Sequence, residues 1–122
     1  KEVLSSVSNI LKEGGVFFFF SPSGSGVSAR YNRKSFFESS PSDHYTIWEP
    51  EKVSKILKKF GFSVVKIVST GHHPERFPIV VNNGWTSKEF KFKIFDKISK
   101  TLNLGDTFEV YCRKDKTQGE EK

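Results

Sequence analysis

Apolar residues recur along this chain in two rhythms, and the switches between them mark out the elements. Val3, Leu4, Val7, Ile10 and Leu11 fall on one helical stripe, so the spacing predicts a first helix. Gly14-Gly15 breaks the rhythm, and Val16 to Phe20 follows as an unbroken apolar run of strand length. Its four successive phenylalanines leave no polar face. That predicts a strand covered on both sides, as a parallel strand between helix layers is. In such sheets ligands bind beyond the carboxyl ends of the strands, which here points to the loop beginning at Ser21.

Ser21 to Trp48 is rich in Ser, Gly and Pro but carries Tyr31, Phe36, Phe37, Tyr45 and Trp48. A loop of this length is a lid or a binding loop, and Gly24-Ser25-Gly26 reads as its hinge. A second helix is expected from Glu49-Pro50, with Val53, Ile56, Leu57 and Phe60 inward, Lys52, Lys55, Lys58 and Lys59 outward, and Gly61 as its stop. Phe62 to Ser69 reads as a strand apolar on both faces, and Thr70 to Thr86 as irregular. Phe90, Ile94, Ile98 and Leu102 recur every four residues beside Phe95, a third helix that Asn103 can end. In Leu104 to Cys112, Phe108, Val110 and Cys112 alternate with Thr107, Glu109 and Tyr111, which suits an antiparallel strand. Residues 115–122 are charged and apolar-free, and read as a disordered tail. The fold class expected is α/β, with three strands of which the last is antiparallel.

At 122 residues the chain is one domain. It contains no methionine and meets its first helix at once, so the expectation is a piece of a longer protein that starts in mid-fold. The net charge of +6 comes mainly from lysines on solvated helix faces. Nucleic acid is therefore not the favoured partner, although Arg30-Tyr31-Asn32-Arg33-Lys34 has that composition. The single cysteine, Cys112, excludes an internal disulfide. No apolar run approaches the about 20 residues that cross a bilayer, and no signal peptide is visible. A reducing cytoplasm is expected.

Leu11-Lys12-Glu13-Gly14-Gly15, Ser21-Pro22-Ser23, His44 to Trp48, Leu57 to Val65 and Leu104-Gly105-Asp106-Thr107 stand in an order that resembles the carboxyl-terminal half of class I S-adenosylmethionine-dependent methyltransferases, of the small-molecule type 11 or type 23 kind. The resemblance runs from residue 3 to about 114. It implies the distal half of a three-layer Rossmann-like methyltransferase sheet, with the last strand inserted between the other two, over a domain spanning residues 1–114. It also implies a cofactor, S-adenosylmethionine, and a small-molecule methyl acceptor. The glycine-rich turn and the ribose-binding carboxylate such a cofactor needs are not in this sequence, so no cofactor-binding residue is assigned. The chain alone is expected to be inactive.

On this resemblance His44 stands at the mouth of the site, as a general base or a hydrogen-bond partner of the acceptor; capping the next helix is its structural alternative. Ser21, Ser23, Arg30, Tyr31, Tyr45 and Trp48 are the candidate substrate-binding residues, with Arg30, Tyr31 and Arg33 suited to an anionic acceptor. His72-His73 has only Glu75 at ligand spacing, so no metal site is assigned. The Val16 to Phe20 edge is expected to pair with a missing amino-terminal half or with a second copy of the chain. A non-enzymatic module that completes another polypeptide's sheet and a small basic RNA-binding domain remain as alternatives.

Overall fold

The computed structural model describes residues 1–39, 46–82 and 88–116. Helix α1 (Glu2–Ile10) leads through Gly14, at φ +75°, into β1 (Val16–Pro22). Two short helices follow, α2 (Val27–Tyr31) and α3 (Arg33–Glu38). Next come α4 (Pro50–Lys58) and β2 (Phe62–Thr70). A 3-10 turn (Pro74–Arg76), α5 (Pro78–Asn82), α6 (Lys88–Thr101) and β3 (Thr107–Lys114) complete the order.

The sheet runs β1-β3-β2. β3 is antiparallel to both neighbours, so β1 and β2 point the same way without touching. The pairing register assigns the two faces. Phe17, Phe19 and Ser21 stand opposite Cys112, Val110 and Phe108, on the face that α1 and α4 cover. Leu4 of α1, Val53 and Leu57 of α4, and Phe62, Phe108, Val110 and Cys112 of the sheet form one buried cluster there. Helix α4 follows its sequence pattern: Pro50 sits in the first turn, Val53 and Leu57 are buried, and Gly61 takes φ +77° just beyond it. The ammonium of Lys114 closes the end of α1 by donating to the carbonyls of Ser8 and Leu11, the latter at 2.8 Å.

The opposite face carries Val16, Phe18 and Phe20, which are 61%, 46% and 70% exposed. The expectation that β1 is covered on both sides is therefore corrected. Among the described residues the sheet has helices on one side only, giving two layers rather than three. The same holds in β2, where a register shift between Val64 and Lys66 leaves Val65 exposed. An apolar run states only that a face repels water, not that this chain supplies its cover.

The structure departs from the sequence pattern, or adds to it, at further points. Ser21 to Ser39 is largely structured, with Val27 and Ala29 buried, and does not form an open lid. In α6 the four-residue stripe faces outward at Phe90, Ile94 and Leu102, because the helix anchors through Phe95 on Phe77 (ring centroids 4.9 Å apart) and through the fully buried Ser99. Thr70 to Asn82 contains two short helical pieces where irregular chain is expected. At the carboxyl end, Asp115 is tied down, its N–H donating to the Gly61 carbonyl and its carboxylate accepting from the Ser63 hydroxyl. Residues 117–122, the rest of the expected tail, lie outside the described residues.

Candidate functional site

The chain leaving β1 is held by residues far away in sequence. Ser23 N–H donates to the Asp106 carbonyl and Gly24 N–H to the Trp48 carbonyl, both at 2.8 Å, and Val27 N–H to the Leu104 carbonyl at 2.9 Å. The Asp106 carboxylate does most of the holding. Oδ1 accepts from Ser28 N–H at 2.8 Å, and Oδ2 accepts from Ser28 Oγ at 2.6 Å and from Arg76 Nη1 at 2.5 Å. Gly26 is needed for this approach, because a Cβ there would lie 2.5 Å from the Gly105 carbonyl oxygen and 2.8 Å from Asp106 Cα. The Gly24-Ser25-Gly26 stretch is therefore a contact surface and not a hinge. On its outer side the Ser25 hydroxyl donates to Glu51 at 2.8 Å. Glu51 is held below the ordinary carboxylate range first by its own backbone N–H, and further by that hydroxyl, against some desolvation.

Two concavities flank α3. The larger, a groove of about 880 Å³, lies over Phe17 and Phe19 between α1, α3 and α4, with Trp48, Phe37 and Phe60 in its walls. On its rim Glu49 meets both Arg33, at 3.8 Å, and Lys52. The smaller, about 420 Å³, is lined by Ser28, Tyr31, Asn32, Ser35, Phe36, Ser39 and Arg76. It opens beside the segments that follow β1 and β2.

The substrate-binding residues expected from sequence divide between these places. Tyr31 lines the smaller pocket and meets Phe77 edge-on, with centroids 6.2 Å apart. Trp48 lines the groove, its ring 5.8 Å from Phe19. Arg30 lines neither; its Nε donates to the Ser25 carbonyl at 2.8 Å. Ser21 and Ser23 are buried, and their hydroxyls bond locally, to the Pro22 carbonyl and the Ser25 N–H. Both serve the loop and reach neither concavity. His44 and Tyr45 lie outside the described residues.

Asp106 and Arg76 are the residues sequence reading missed. Asp106 stands in a turn motif, and its partners are 30 and 78 positions away. A second missed pair is His72 with Ser99, Nδ1 to Oγ 2.6 Å, while Nε2 lies 3.2 Å from the Ser69 carbonyl. It braces α6 against the end of β2. His73 instead meets Glu75 at 2.9 Å. Among the described residues no group of three or more His, Cys, Asp or Glu stands ready for a metal ion. Burial raises the Cys112 thiol above its usual range, which leaves it protonated near neutral pH.

No family model matches this chain, and no curated protein matches it. Among the described residues, no helix is long and apolar enough to cross a membrane.

Proposed function

We propose that this chain is the distal part of the sheet of a Rossmann-like, S-adenosylmethionine-dependent methyltransferase, acting in a reducing cytoplasm, and that it supplies the acceptor-side wall. The observation that carries the reading is the reversed strand β3, inserted between two strands that point the same way. Two further features support it. Both long covering helices, α1 and α4, lie on one face, and the smaller pocket is lined by residues that follow the carboxyl ends of β1 and β2, where ligands sit in sheets of this kind.

The residues described do not fit the cofactor itself. A nucleoside needs open glycine backbone after a strand, whereas Gly24 to Gly26 is occupied by contacts to Trp48, Gly105 and Asp106. On this reading the cofactor is held by residues outside the chain. What remains for the chain is to bind and orient the acceptor, exclude water from it and take its proton, and orientation alone supplies much of the rate in such a transfer. His44 is the proposed base. In the protein that carries the cofactor-holding strands, His44→Ala should lower turnover about 100-fold, the usual scale for a general base, with cofactor affinity unchanged. Equal turnover removes His44 from the mechanism.

Among the described residues the outer face of β1 is exposed and one of its edges is unpaired, which favours a second reading, a non-enzymatic module that completes the sheet of another polypeptide. The two readings separate on methyl transfer, which only the first requires.

A further inference from the structure

We infer that the smaller pocket is an oxyanion subsite with Arg76 as its charged ligand, and, resting on the reading above, that the methyl acceptor is a small molecule bearing a carboxylate or phosphate. The argument starts from how Arg76 is held. Its side chain is 46% exposed, yet Nη1 is fixed by the Asp106 carboxylate at 2.5 Å and lies 3.2 Å from Ser28 Oγ. Asp106, at 6%, is turned inward. Its oxygens accept from Ser28 and Arg76, and it does not line the pocket. A guanidinium offers five N–H donors in a planar fork, and the bonds among the described residues engage only Nη1. The fork is thus held through Nη1 by a buried anion, and the partly exposed Arg76 lines the pocket.

The surroundings favour an anion there. Among the described residues no Asp or Glu lines this pocket, in contrast to the groove, where Glu49 meets Arg33 and Lys52. Asn32, Ser35 and Tyr31 supply further hydrogen-bonding groups, and the rings of Tyr31 and Phe36 supply apolar wall. A volume of about 420 Å³ lies within the usual range for small-molecule sites, roughly 300–1,000 Å³. Arg76 follows β2, and the other lining residues follow β1, so the pocket spans the ends of the two co-directional strands. The anion-binding role expected of Arg30 and Arg33 thereby passes to Arg76.

The test titrates benzoate and, separately, inorganic phosphate into the 122-residue chain, following the Arg76 side-chain Nε–H by NMR. Arg76 itself is left intact, because its side chain is the probe and because removing it takes the charged partner from Asp106. Saturable binding with a millimolar Kd is expected for at least one anion. Ser35→Asp, which puts a carboxylate into the pocket without touching Asp106, should weaken it at least tenfold. Arg30→Gln should leave it within twofold. Tighter benzoate assigns a carboxylate acceptor, tighter phosphate a phosphate ester. No saturable binding, or equal weakening by Ser35→Asp and Arg30→Gln, overturns the subsite. Anion binding in a protein that transfers no methyl group would leave the subsite standing and remove the proposed activity. Methyl transfer without anion binding would do the reverse.

Discussion

Asp106→Ala is expected to lower the unfolding free energy by about 3 kcal/mol, a loss on the scale of breaking a buried ion pair. The substitution removes the acceptor of three hydrogen bonds that join α2, the turn before α5 and the start of β3. Ser28 loses the partner of both its N–H and its hydroxyl. The half-exposed Arg76 recovers water, which keeps the loss below the upper end for buried pairs. Arg76→Gln should cost less, about 1–2 kcal/mol, because Asp106 keeps its two bonds from Ser28. Urea unfolding measures both. A shift of the Asp106→Ala midpoint worth less than about 1 kcal/mol would mean that the junction is solvated and holds little.

The second large effect concerns association. Among the described residues β1 pairs on one edge only, with β3, and its outer face carries Val16, Phe18 and Phe20. A long apolar edge without charge is a template for another strand. The isolated chain should therefore sediment as a dimer or larger species at micromolar concentration. Val16→Lys with Phe20→Lys should weaken that association more than tenfold, since lysine on an edge opposes strand addition. Stability should change by less than about 1 kcal/mol, because exposed positions away from caps and contacts rarely matter more. A monomeric parent chain would contradict this, and so would an unchanged sedimentation profile in the double variant.

Helix α4 and strand β3 were legible because local rules fix them. A proline at the start, a glycine beyond the end and lysines opposite Val53 and Leu57 specify α4, and strict alternation at Phe108, Val110 and Cys112 specifies the buried face of β3. What was not legible depends on distant partners. The four phenylalanines of β1 gave its strand character but not its half-open state, because hydrophobicity is the same before and after a cover arrives. In α6, periodicity picked out Phe90, Ile94 and Leu102, whereas Ser99, which no apolar pattern includes, is the residue buried against His72. Ser21, Ser23 and the glycines resembled a mobile loop until Asp106, from the other end of the chain, filled the space between them. Candidate site residues followed the same division. Tyr31 and Trp48 line concavities, while Arg76 owes its place to a carboxylate that lies 30 residues away.

On the proposed reading, this sheet is one part of a methyltransferase whose cofactor-holding strands lie outside the chain. Calorimetric titration of S-adenosylmethionine tests it most directly, with the 122-residue chain and the full product of its reading frame measured side by side. No binding heat is expected from the chain alone, and a micromolar Kd is expected for a longer product that carries a glycine-rich turn after a strand. Micromolar binding by the chain alone, or no binding by the full product, would contradict it.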